Sequence, residues 1–211
     1  MIHTFERGDR MAADVAVRSM FAARKEVFID LLKWDLSVRN GKFEIDRFDS
    51  EHARYLILTT KGGNHLGSAR LLSTLTPHIL DTLFPDLSEA EVPRGEAVFE
   101  ITRFCLDRHL KAAERRVIRN TLISALVEYA LSHGITSYTG VAELGWLHQI
   151  LRFGWDCVSL GPPIEHGGMH LGALKIQITS GTPRKLAEAG FWSPPSAHEL
   201  STVISAAFEE F

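Results

Sequence analysis

The stretch Ala97–Leu106, AVFEITRFCL, constrains the chain more than any other. Seven of its ten residues are apolar or aromatic, so it reads as a strand buried in a core. Inside that run sit a carboxylate, Glu100, and a guanidinium, Arg103. In a regular strand the side chains alternate between faces. Val98, Glu100, Thr102 and Phe104 then share one face, and Phe99, Ile101, Arg103 and Cys105 share the other. A charge on each face of an apolar strand needs a partner or a chemical task.

The composition leaves room for such a core. A chain of 211 residues suits one large domain and can bury a sizeable core without disulfides or metals. The net charge of −3 implies no global polyelectrolyte partner, so an acidic partner needs a local basic patch. Cys105 and Cys157 lie far apart without metal spacing, as free thiols of a reducing compartment do. MIHTFERGDRM has no apolar signal-peptide region, and no run of about 18 apolar residues follows. A cytoplasmic location is the expectation.

Ile2 to Phe5 can form a short first strand. From about Met11 to Leu32 the chain reads as a helix, with neither Pro nor Gly inside. Val17, Phe21, Arg24 and Phe28 share one face of it, which puts Arg24 on the apolar side. That arginine either snorkels from a core helix or stands beside an aromatic ring to receive an anion or flat group. Trp34 opens the polar stretch Lys33 to Lys42, where Asn40-Gly41 marks a turn. Glu44, Asp46 and Asp49 crowd together before a hairpin pattern, Tyr55 to Thr59 and Leu66 to Leu72, turning over Lys61 to Asn64. Such an acidic cluster can hold a metal, but with Arg70 inside the second strand an ion-pair network is the stronger reading.

Thr76 to Phe84 reads as a short helix and Ser88 to Gly95 as a loop. After the central strand, Ala112 to His133 is an amphipathic helix stopped by Gly134, with Lys111, Arg115, Arg116 and Arg119 around its first turns. A strand over Ile135 to Ala142, a helix over Trp146 to Phe153 and an extended run over Trp155 to Leu160 follow. Glu165 to Gly172 reads as a glycine-rich loop, Ala173 to Thr179 as the last core strand, and Thr182 to Ala189 and Leu200 to Phe208 as helices. Strands in a hairpin come first, and strands alternating with helices come later. That order predicts an α/β domain with a mixed sheet sandwiched by helices.

The spaced residues resemble the LuxI-type acyl-homoserine-lactone synthases, which make quorum-sensing signals. The resemblance covers roughly residues 1 to 180 and leaves 181 to 211 as a C-terminal extension. It is carried by Arg24, Phe28 and Trp34 in RKEVFIDLLKW, Asp46 and Asp49 in EIDRFD, Arg70 in LGSARLL, Phe84, and Glu100 and Arg103 in FEITRF. It implies a single-domain three-layer α/β/α sandwich like the GNAT-type N-acetyltransferases. It also implies two substrates, S-adenosylmethionine and an acyl thioester on acyl carrier protein or coenzyme A, with no further cofactor and no metal. The methionine amine attacks the thioester carbonyl. Its carboxylate then closes the lactone and displaces methylthioadenosine.

On this resemblance Glu100 is the general base for the amine. Arg24, Phe28 and Trp34 form the S-adenosylmethionine pocket, and Asp46, Asp49, Arg70 and Arg103 form a charge network that orders it. Phe84, Thr102, Phe104, Gly140, Ala142 and Trp146 shape the acyl pocket. Lys111, Arg115, Arg116, Arg119 and Arg152 attract an acidic carrier. Members that use 3-oxoacyl donors often carry Thr where this chain has Gly140 and Ala142, with Thr139 as the equivalent if the register is off by one. Without a hydroxyl there, the expected acyl chain has no 3-oxo group.

Two other readings compete. A general N-acyltransferase of the same fold using acyl-CoA needs a glycine-containing pyrophosphate loop before a helix, and LDRHLKAAERR contains no glycine. A non-catalytic protein on this fold would be free to lose Arg24, Glu100 and Arg103, and all three are present. The regular alternation of the central strand separates its two charges. Arg103 then has Asp46 and Asp49 as partners, and Glu100 faces the substrates.

Overall fold

The apolar stripe of the first helix determines how the chain begins to fold. In the computed structural model, which describes residues 10–194 and 202–204, helix α1 spans Arg10–Arg24. Val17, Phe21, Arg24 and Phe28 are all buried, as their spacing predicts. The α-helix does not run to Leu32, however. From Lys25 to Leu31 it widens into a π-helix, with Leu32 N–H bonded to the Val27 carbonyl five residues back at 2.9 Å. Such segments are frequent at functional sites.

The chain divides into two compact units, the first holding the described residues up to Arg70, then Arg103–Ala125, and those from Ser193 on. In it, β1 (Val38–Arg39) and β2 (Phe43–Glu44) form a small antiparallel hairpin. Asn40 and Gly41 both have positive φ, 53° and 68°, and Lys42 N–H reaches the Arg39 carbonyl at 3.1 Å. This is the primed turn that an Asn-Gly pair favours. The hairpin read at the next strands is present as β3 (Arg54–Thr59) and β4 (His65–Ser73). The tail departs from the expected helix. Within Leu200 to Phe208 the described residues Thr202–Ile204 form a strand, β10, antiparallel to β3, and the rest lies outside the described residues. The strand expected over Ile2 to Phe5 also lies outside them.

The second unit holds Leu71–Thr102 and Leu126–Trp192. Central strand β5 spans Val98–Leu106, within one residue of the expected bounds, and passes from this unit into the first. It pairs in parallel with β6 (Ser137–Glu143), Glu100 opposite Thr139. Strand β9 (Met169–Gln177) runs antiparallel to β6, and carries β7 (Asp156–Ser159) and β8 (Ile164–His166). The sheet is therefore mixed. β8 and the start of β9 occupy the expected glycine-rich loop, with the turn at Gly167 and Gly168, whose φ values are 57° and 79°.

Helices cover both faces of this sheet. Tyr138 donates its hydroxyl hydrogen to the Leu126 carbonyl of α3 (Ala112–Ser132) at 2.9 Å. Gly172, on that same face opposite Ala142, lets Leu147 of α4 (Leu144–Ile150) approach to 2.6 Å of where a Cβ would stand. On the other face Val141 and Ala173 pack with Leu80 of α2 (Ile79–Leu83) and with Leu87. This gives the three layers expected. Helix α3 ends at Gly134 (φ 68°), and Ile135 N–H caps the Ala130 carbonyl at 2.9 Å. A last helix, α5, spans Thr182–Glu188. Among the described residues, no helix is long and apolar enough to cross a membrane.

Candidate active site

Four elements and one loop of the first unit deliver charge to a single buried place. Arg24 ends α1, Glu44 ends β2, Asp46 and Asp49 occupy the turn before β3, Arg70 lies in β4 and Arg103 in β5. Arg24 donates its Nε hydrogen to Glu44 Oε2, and both terminal nitrogens to Asp49 at 2.9 and 2.8 Å. Arg70 holds Asp46 at 2.6 and 3.1 Å, and its Nη1 lies 2.7 Å from Asp49 Oδ1. Arg103 joins Asp46 at 2.7 Å to Glu44 at 3.0 Å. The contacts close a ring, Arg24–Glu44–Arg103–Asp46–Arg70–Asp49, in which the charges alternate and sum to zero. Tyr55 adds a hydroxyl hydrogen bond to Asp49 at 2.8 Å.

Alternation of sign is what makes this burial tolerable. Burial alone lowers the Arg24 pKa, but Asp49 and Glu44 outweigh it and hold the guanidinium above its ordinary value. Burial raises Asp49, and Arg24 and Arg70 more than reverse it, so the carboxyl stands well below its usual range. Asp46 is lowered in the same way, chiefly by Arg70 against its burial. Arg70, like Arg24, is raised by Asp49 and Asp46 against its burial.

Arg24 therefore sits inside the network, 1 % exposed, rather than presenting its donors to a ligand carboxylate. Its guanidinium also lies 5.0 Å from the Phe21 ring centroid. Glu44, counted only as part of an acidic crowd in the sequence, is a full member, and it takes the place expected for Asp49 as a partner of Arg103. The alternation of β2 carries the only signal for this, Glu44 pointing inward beside half-buried Phe43.

Phe28 and Trp34 come together as expected. Their rings stack at 4.9 Å and 20°, with the Trp34 N–H bonded to the Phe28 carbonyl at 2.9 Å. Lys33 between them adopts φ 60°. Arg103 lies 5.7 Å from the Phe28 ring centroid, and Cys105 packs beneath the pair, its thiol pushed up to about 12 by burial. Arg103 itself has φ 50°. The central strand is thus irregular at this residue, and the alternation from Glu100 to Arg103 assumed from sequence does not hold through it.

In the second unit, Glu100 is completely buried. Its two oxygens accept the Ile79 and Leu80 N–H groups at 2.7 and 2.8 Å, anchoring α2 to β5. Thr139, on the same sheet face by register, is completely buried too, and among the described residues its Oγ1 has no hydrogen-bond partner. The Glu100–Thr139 pair is the last rung of the β5–β6 ladder, although both strands continue.

The residues expected to line the acyl chain divide between two faces. Phe84 joins the Leu80–Leu87 cluster on the Val141 face and meets His166 edge-on at 5.1 Å. Gly140 and Ala142 lie on the α3–α4 face, where a Cβ on Gly140 would stand 3.2 Å from the Ile101 carbonyl oxygen and 3.9 Å from Leu174. Trp146 packs edge-on against Phe153 at 5.7 Å. Thr102 is buried and Phe104, in the first unit, is half-buried. Thr139 faces away from Gly140. Of the basic residues, Lys111, Arg115, Arg116 and Arg152 are exposed, while Arg119 is half-buried against Asn120 at 2.9 Å. Among the described residues no group of three or more His, Cys, Asp or Glu could hold a metal ion.

The chain is similar to known proteins. The sequence fits the family described as "Autoinducer synthase" over residues 9–183. It is 34% identical over 150 residues to an acyl-homoserine-lactone synthase of Rhizobium etli, covering 70% of this chain and 68% of that one. The solved structure of MesI, a CoA-dependent acyl-homoserine lactone synthase, superposes with a TM-score of 0.79 at 29% identity, over 92% of this chain and 97% of that chain. An N-acetyltransferase structure from Lactobacillus plantarum, at 18% identity and TM-score 0.54 over 79% of this chain and 92% of that one, shares the fold alone.

Proposed function

The chain belongs to the autoinducer synthase family, and from that premise we propose how its residues divide the work of the reaction. It is an acyl-homoserine-lactone synthase, an acyltransferase that acylates the amine of S-adenosylmethionine from an acyl thioester and lactonises with release of methylthioadenosine. The observation that carries this is the match over residues 9–183, within which Arg24, Asp46, Asp49, Arg70 and Arg103 meet in one ring.

Phe28 and Trp34 take the sulfonium and adenine of S-adenosylmethionine, since stacked aromatic faces attract cations and flat rings. The charge ring acts behind them as a fixed support. Glu100 receives the proton that the amine must lose before it attacks. A carboxylate oxygen accepts more than one hydrogen bond, so the two amides of α2 do not preclude that role. The acyl chain of the thioester runs along the Gly140–Ala142 face. Neither residue offers a hydroxyl, which favours a chain without a 3-oxo group. The reaction takes place in the cytoplasm and needs no cofactor beyond the two substrates.

We take the acyl group to arrive on coenzyme A, because MesI, similar over nearly its whole length, is CoA-dependent. A second reading, acyl carrier protein, is favoured by the exposed Lys111, Arg115, Arg116 and Arg152, which suit an acidic partner. Purified protein given S-adenosylmethionine and a panel of acyl-CoA and acyl-carrier-protein donors should release thiol and methylthioadenosine with a CoA donor. Turnover confined to carrier-protein donors selects the second reading. No thiol release with any donor overturns the function.

A further inference from the structure

Glu100 is held by a very short element. Its oxygens accept the N–H groups of Ile79 and Leu80, the first two residues of α2. Five residues make little more than one turn, too few for a helix to fix its own geometry. A contact from outside the turn must therefore keep these two amides aimed at the carboxylate.

Asp81, the third residue of α2, is placed to do so. Its Oδ1 accepts the His78 N–H at 2.8 Å and the Thr82 hydroxyl at 2.6 Å. The first is a contact of the capping-box kind, in which a side chain reaches back and fixes where the chain enters the helix. His78 is thus tied down immediately before the two amides, and its Nδ1 lies 3.0 Å from the Thr76 carbonyl oxygen. The other Asp81 oxygen lies 3.7 Å from Arg94 Nη1. Arg94 donates its Nε hydrogen to the Thr74 carbonyl at 3.0 Å. Thr74 gives its hydroxyl hydrogen to the carbonyl of Val98, the first residue of β5, at 2.8 Å. Contacts therefore run from the start of α2 to the start of β5 by a path that does not pass through Glu100. Burial raises the Asp81 carboxyl, but the Thr82 hydroxyl and the His78 N–H outweigh it and hold it below its ordinary value.

We propose that Asp81 is a positioning residue for the acylation. It acts through the His78 N–H to keep the Ile79 and Leu80 amides on Glu100, and so fixes the orientation in which that carboxylate takes the proton of the amine. This rests on the reading of Glu100 as the proton acceptor. Asp81 itself handles no proton and touches no substrate, so its effect falls on turnover and not on binding.

Asp81→Ala removes the contact, and Asp81→Asn keeps an oxygen that can accept the His78 N–H; melting temperatures confirm that both variants fold. Initial rates are then measured across concentrations of S-adenosylmethionine and of the acyl donor, in the wild-type and in a Glu100→Gln background. Asp81→Ala should lower kcat about fivefold, the factor that corresponds to a lost cap, with both KM values unchanged. Asp81→Asn should restore kcat. In the Glu100→Gln background Asp81→Ala should change kcat by less than about twofold, because the group that it positions is gone. An equal loss in both backgrounds, no loss of kcat, or no rescue by Asp81→Asn overturns the positioning role and leaves the proton acceptor in place. Glu100→Gln turning over as fast as wild type overturns the proton acceptor itself, and the positioning role with it. Wild-type protein that turns over no donor overturns the synthase reading and both roles.

Discussion

Asp49 receives two arginines at once, and a tyrosine hydroxyl besides. Removing one partner from such a buried set leaves uncompensated charge, which costs about 3–5 kcal/mol. Asp49→Asn should therefore destabilise the protein by that order in urea unfolding, with Arg24 and Arg70 left facing an amide. A loss below about 1 kcal/mol would show that the ring tolerates an open link. The residues of this ring were partly legible in the sequence. Arg24 is visible from helical spacing, Arg70 and Arg103 from charges inside strands. Glu44 and Tyr55 were not assigned, because closing a ring depends on where a two-residue strand and a loop bring their side chains. No local pattern encodes that.

At the scale of elements, β5 and α2 are joined by Glu100. Because both carboxylate oxygens accept main-chain N–H groups, Glu100→Gln replaces one acceptor by an amide nitrogen that faces a donor. The expected outcome is lower turnover together with a stability loss of about 2 kcal/mol, as for a broken charge-assisted hydrogen bond. Turnover assays and chemical unfolding of the same preparation check it. Unchanged turnover in a destabilised variant would make the carboxylate an anchor alone. The strand bounds followed from composition, but the irregularity at Arg103 did not. A positive φ at a non-glycine residue leaves no trace in the hydrophobic pattern, so the faces assigned by alternation fail beyond it. The last strand, β10, was hidden for another reason. Its apolar run suits a helix or a strand equally, and pairing with β3 decides.

The whole molecule should show two separate acid limits. Burial lowers His65 to about 4, while its Nε2 stays 2.8 Å from the Ser68 hydroxyl. In the unfolded chain an imidazole titrates near 6.5. Between these values the unfolded state binds more protons, so the contribution of His65 is complete above about pH 6.5. It declines as pH falls toward 4, by on the order of 3 kcal/mol, and is then constant. Asp46 and Asp49 behave differently. Their depressed pKa values keep the stability of the ring until pH falls below the ordinary carboxylate range, and only then is it lost. Unfolding free energies across pH 7 to 4 should fall, and His65→Asn should flatten that slope. A flat wild-type profile would refute it.

The stacking of Phe28 and Trp34 over Cys105 also makes the protein its own gauge. A thiol that is 1 % exposed and raised to about 12 reacts with a disulfide reagent only while its cover is lifted. In a Cys157→Ser background the trapping rate of Cys105 then counts the openings of the segment from Lys25 to Leu36. If the two rings close on S-adenosylmethionine, saturating ligand should slow that rate in proportion to occupancy. A rate indifferent to the ligand would place its binding elsewhere.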